Sequence, residues 1–165
     1  MRKTLLLLSL LLLVQITKSQ VNKIKTIQVV NFEQLEPFLH KTNDTVYLVN
    51  FWATWCAPCI KELPAIEATE QKYADKKFKV LLVSLDFPKE LTGRVQPFVK
   101  SRNITSDVVL LNDPDQNKWI DKVDKSWSGE IPFTLLYSRN FRESYSNAFT
   151  FKELDSIINQ KLNLP

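Results

Sequence analysis

The sequence predicts an α/β fold in one domain, with a sheet between helices that closes on a hairpin and a last helix. Three observations predict it. Val46 to Trp52 and Lys79 to Leu85 are β-rich runs with little polar alternation, each followed by a helical pattern. Phe133 to Tyr137 is a late strand, and Ser138-Arg139-Asn140 turns it into an antiparallel partner around Arg142 to Asn147. From Thr150 onward the pattern is a capped amphipathic helix. Strands that lack alternation are buried on both faces, and their regular alternation with helices argues for layers of helix packed on a sheet.

Taken in order, the β-branched stretch from about Lys25 to Val30 predicts a first strand, and Asn31 with Gln34 resembles a capping box for a short helix through Leu39. Val46 to Trp52 is the central strand. Pro58 opens a helix to about Ala74, in which Ile60, Leu63 and Ile66 separate from Glu67 and Glu70. After the strand Lys79 to Leu85, a helix is expected from Lys89 to Arg102 despite Pro97, then a short strand from Val108 to Leu111. Asp113-Pro114-Asp115 is a turn feeding a helix through Val123. In the last helix Phe151, Leu154, Ile157, Ile158 and Leu162 are expected to face inward.

Residues 1–19 stand apart. Arg2 and Lys3 precede an apolar run from Leu5 to Ile16, then Thr17 and Ser19, the pattern of a secretory signal peptide cleaved after Ser19. Its 12 residues fall short of the about 20 needed to cross a bilayer, so a permanent membrane anchor is the weaker reading. Residues 20–165 form the domain. Of 22 Lys and Arg against 18 Asp and Glu, the segment removes Arg2, Lys3 and Lys18, which leaves one net positive charge. No clustered basic face remains, and nucleic acid is not an expected partner.

Only two cysteines exist, in Cys56-Ala57-Pro58-Cys59, between the central strand and the next helix. Structural zinc normally takes four ligands, and the chain offers two cysteines and one histidine, His40. A c-type haem site needs histidine where Ile60 stands. A purely structural disulfide stays open, although a bridge enclosing so short a loop removes little chain entropy. Redox chemistry has a positive basis: at a helix N-terminus the Cys56 sulfur meets unpaired N–H groups and the positive end of the dipole, which favour thiolate. Cys56 is then the nucleophile, and Cys59, one turn further in, the resolving thiol.

Asn50-Phe51-Trp52-Ala53-Thr54-Trp55-Cys56-Ala57-Pro58-Cys59 resembles the active-site segment of the thioredoxin superfamily, and within it is similar to the exported TlpA/ResA-like disulfide reductases. Glu62, Pro64 and Ile131-Pro132 extend the resemblance over most of residues 27–162. It implies a thioredoxin-like fold, a central mixed sheet flanked by helices, with an insert before a strand led by a cis Pro132 that packs on the dithiol, shapes the substrate groove and discourages metal capture. Pro64 resembles the helix-kinking proline. Glu62 resembles a partly buried carboxyl group that tunes the dithiol and relays its proton, the alternative being an exposed carboxylate paired with lysine. Ordinary thioredoxins carry aspartate where this chain has Asn50, which adds weight to Glu62.

The resemblance further implies a protein-disulfide reductase with no cofactor beyond the redox-active Cys56–Cys59 disulfide and no metal. Its partners would be exported thiol or disulfide proteins, or apocytochrome c, and a membrane electron donor; the protein would be a periplasmic monomer. Trp55, Ala57, Pro58 and Ile131 would contact substrate. Trp52 also neighbours the dithiol but reads as core, as do Trp119 and Trp127 in the insert, while His40 reads as helix surface. A peroxidase would need a lone reactive cysteine near threonine and arginine, and a copper chaperone of this fold typically has wider cysteine spacing and a downstream histidine. Asn43-Asp44-Thr45 and Asn103-Ile104-Thr105 match the glycosylation pattern, most simply by chance.

Overall fold

The computed structural model describes residues 26–163. The signal-peptide reading of residues 1–19 lies outside them. Six strands form one mixed sheet: β1 Gln28–Val30, β2 Val46–Trp52, β3 Phe78–Ser84, β4 Asp107–Leu111, β5 Phe133–Tyr137 and β6 Arg142–Tyr145, in the order β1-β4-β3-β2-β5-β6. The first four run parallel; β5 is antiparallel to β2, and β6 to β5. The α-helices are α1 Phe32–Leu35, α2 Ala57–Lys72, α3 Gln96–Ser101, α4 Ile120–Val123 and α5 Phe151–Leu162.

Side chains alternate across a strand, so the two faces of this buried sheet can be read separately. Val46, Leu48 and Trp52 of β2 pack with Val80, Leu82, Leu110 and Leu136 against Leu63 and Ile66 of α2 and Leu154 and Ile158 of α5. Val49 and Phe51 face the other way, toward Phe32, Leu35, Trp119, Trp127, Phe133 and Leu135. On this second face Trp127 stacks on Phe133 at 4.4 Å and meets Phe51 at 4.7 Å.

Most elements lie where the sequence places them. Asn31 and Gln34 form the expected capping box, and Thr150 forms one with Glu153. The expected helix from Lys89 to Arg102 is not continuous: a 3-10 turn Pro88–Glu90 and a π-helical turn Leu91–Val95 precede α3. Pro97 has no N–H to return to the preceding turn, and the Gln96 N–H instead bonds to the Leu91 carbonyl, so the wide turn places proline in the first turn of α3, where no donor is missed. The expected helix after Asp115 is likewise split, into a 3-10 turn Gln116–Lys118 and α4. At the break, the buried Trp119 donates its indole N–H to the Asp113 carbonyl and stacks on Phe32. Phe151 does not face inward: it opens α5, 40% exposed, with Lys72 Nζ 5.8 Å from its ring. Leu154 and Ile158, one turn apart, carry the buried stripe instead. His40 is exposed but lies past the helical turn rather than on it.

Candidate active site at the Cys56–Cys59 pair

In α/β sheets, sites gather at the carboxyl ends of the parallel strands, and this site does so. β2 ends at Trp52, and the chain turns through Thr54 and Trp55 into α2. Cys56 is the N-cap of α2: its backbone is extended, and its sulfur accepts the Cys59 N–H at 3.3 Å, where a serine or aspartate oxygen would usually sit. Cys56 and Cys59 are joined in a disulfide. Both are buried, Cys56 at 5% and Cys59 at 1% exposure, so a partner can reach only the rim of Cys56.

β5 is antiparallel to β2, which brings its leading end to the same place. The Ile131–Pro132 bond is cis, as the resemblance implies, and the Ile131 carbonyl oxygen lies 3.8 Å from the Cys56 sulfur. Ala57, Pro58 and Trp55 are exposed beside it, while Trp52 is fully buried against Phe98. Trp52 is therefore core and Trp55 rim, as their positions on and beyond the strand require.

Glu62 is one turn beyond Cys59 and points into the protein, 1% exposed. No lysine meets it. Its Oε1 accepts the Phe149 N–H at 3.1 Å, from the loop before α5, and its Oε2 accepts the Asn50 side-chain amide at 3.3 Å. The same amide also donates to Thr134 Oγ1 at 3.0 Å, which ties α2, β2, β5 and the α5 entry into one buried polar group. Burial pushes the Glu62 carboxyl up to about 7, and the hydrogen bonds from Phe149 and Asn50 only partly oppose it. A carboxyl group there can take or give a proton near neutral pH.

Sequence reasoning missed Asp86. It is 2% exposed, just past β3, and accepts the Thr54 N–H at 2.9 Å, the Thr54 hydroxyl at 2.5 Å and the Ser84 hydroxyl at 2.9 Å. It also missed Thr134 and the Phe149 N–H. No spacing signal marks these three, because their partners lie 32, 84 and 87 residues away. Among the described residues, no group of three or more His, Cys, Asp or Glu is placed to hold a metal ion, and no helix is long and apolar enough to cross a membrane.

The family described as AhpC/TSA matches residues 22–140. The thiol-disulfide oxidoreductase ResA of Oceanobacillus iheyensis is 31% identical over 114 residues, which cover 68% of this chain and 55% of that protein. The thioredoxin-like protein YneN of Bacillus subtilis is 36% identical over 63 residues, 38% of this chain and 36% of that protein. The chain thus spans about half or less of the length of these curated relatives. Among solved structures, a secreted thiol-disulfide isomerase of Corynebacterium glutamicum superposes with a TM-score of 0.62 at 18% identity, covering 79% of this chain and 75% of that one. At that identity the likeness is one of fold.

Proposed function

The chain belongs to the AhpC/TSA family, and from that premise and the geometry around Cys56 we propose that it is a thiol–disulfide oxidoreductase working through Cys56 and Cys59. The observation that carries this reading is the Cys56 sulfur itself, capping α2 by accepting the Cys59 N–H while it faces the Ile131 carbonyl at the rim. The same N–H and the helix dipole stabilise a thiolate there once the bridge is reduced.

In the reducing direction the Cys56 thiolate attacks one sulfur of a substrate disulfide. A Cys56–substrate disulfide forms, the substrate S–S bond breaks, and the released substrate thiolate takes a proton from solvent. Cys59 then gives its proton to the Glu62 carboxylate and attacks the Cys56 sulfur. The Cys56–Cys59 bridge forms, the second substrate thiolate leaves, and two electrons have moved from the dithiol to the substrate. Ile131, Pro132, Trp55, Ala57 and Pro58 border the path by which the substrate reaches Cys56.

The substrates in this reading are disulfides of exported proteins or apocytochrome c, and a membrane electron donor returns the electrons. The basic-then-apolar start of the chain and the resemblance to ResA-type proteins support export and a periplasmic setting. The experiment is trapping. Cys59→Ser should accumulate partners as mixed disulfides, Cys56→Ser should trap few, and limiting iodoacetamide should label reduced Cys56 first. Equal trapping by both variants, or first labelling at Cys59, would overturn the assigned roles.

A further inference from the structure

The two segments that leave the sheet beside the dithiol are tied to one another. The pairing of β2 and β3 continues past their ends, with the Leu85 N–H donating to the Trp52 carbonyl at 2.8 Å. Asp86 then clamps Thr54 through its backbone N–H and its hydroxyl. Trp55 follows one side of this clamp and Phe87 the other, so both rings stand one residue from it, at the end of the sheet that holds Cys56. They are 59% and 68% exposed, the two most exposed large hydrophobic side chains among the described residues.

Phe87 is held as well as exposed. The residue before it, Asp86, is anchored to Thr54 and Ser84, the residue after it is the conformationally fixed Pro88, and its own carbonyl accepts the Glu90 N–H at 2.8 Å. An aromatic ring on a held backbone forfeits burial in the free protein, yet loses little further freedom when something covers it. The other exposed aromatics differ. Phe38 lies at the far end of the sheet, where its carbonyl accepts the Tyr137 hydroxyl, and Phe151 starts α5 under Lys72.

We infer that Phe87, together with Trp55, is a specificity-determining contact for the polypeptide substrate, gripping an apolar side chain close in sequence to the reactive cysteine. This rests on the exchange reading given above. In the mixed disulfide the substrate cysteine is bonded to Cys56, and each extended residue advances the chain by about 3.3–3.6 Å. The residues flanking that cysteine are thereby brought near the strand ends that lead into Trp55 and Phe87. The clamp carboxylate between them is buried and spent on Thr54 and Ser84, and Lys89 lays its Nζ 5.8 Å from the Phe87 ring. The surface offered is aromatic, and its partner is apolar.

The test uses two disulfide peptides, identical except that Leu or Ser neighbours the cysteine, and measures kcat/KM for their reduction by the reduced protein. The wild type should favour the Leu peptide by about tenfold, through KM, the low end of what an apolar side chain contributes to discrimination. Phe87→Ala should shrink that preference to about twofold, Phe87→Leu should keep part of it, and Phe38→Ala all of it. An undiminished preference in Phe87→Ala, or no preference in the wild type, would overturn the inference while leaving the oxidoreductase reading intact. Failure of the wild type to reduce either peptide would remove both together.

Discussion

The two faces of the sheet are equally dry but built from different material. On the face toward α2 and α5 lie the polar side chains Asn50, Thr134 and Ser84, the buried Glu62 and the dithiol. On the opposite face the rings of Phe32, Phe51, Trp119, Trp127 and Phe133 pack on one another, and the polar groups among them, two indole N–H groups and the Tyr137 hydroxyl, go to backbone carbonyls. Buried polar groups are costly unless bonded to one another, so they collect where α2 brings a titrating partner. Aromatic rings need only shape and area, so they fill the side where nothing reacts. The difference teaches that the chemistry of this fold occupies one half of the core while the other half holds the sheet against it.

The largest effect should come from the aromatic face. Trp127→Ala removes a ring packed on Phe51 and Phe133, and its indole N–H to the Glu130 carbonyl, and should cost about 3–5 kcal/mol in urea unfolding. The equilibrium of the dithiol with glutathione should stay unchanged in the folded protein. A redox shift as large as the stability loss would show that the two halves are not separable.

The next effect belongs to Glu62. Its folded carboxyl sits at about 7 against 4.5 for a free one, so the native state binds this proton more readily than the unfolded chain does. Its contribution is fully present below about pH 4.5 and is lost as the pH rises through about 7. The oxidised protein should lose up to about 3 kcal/mol across that window from this group, and Glu62→Gln should remove that loss. The same variant should slow exchange near neutral pH. Parallel stability curves for wild type and Glu62→Gln would mean that Glu62 does not titrate with folding.

The smallest effect is Thr134→Val, nearly isosteric, which takes one acceptor from the Asn50 amide. It should cost about 1 kcal/mol, measured as a shift of the urea midpoint. A cost matching that of Trp127→Ala would make the polar group, rather than the rings, the mechanical centre of the core.

Strands and caps were the most legible features of the chain. β2 and β5 lie where the β-rich runs place them, and the Asn31–Gln34 capping box and the Thr150 cap are legible because their partners are local. The segments that broke, Leu91–Val95 and Gln116–Val123, broke where a proline lacked its donor or an indole had to reach the aromatic face. Phe151 was misjudged because periodicity marks a stripe and not where the supporting layer ends. The resemblance implied a partly buried Glu62 against the alternative of an exposed one, and the structure buries it, but the identity of its partners could not be read from the chain.

By itself the sequence determined the layers, the placing of Cys56 at a helix start, and the position of Glu62 one turn beyond Cys59, since each is set by patterns within a few residues. Tertiary structure alone decided that Phe149 and Thr134 join Asn50 around Glu62, and that Asp86 ties Thr54 so that Trp55 and Phe87 flank one clamp. Those contacts cross strands and loops far apart in the chain, and only the packed sheet brings such groups within hydrogen-bonding distance.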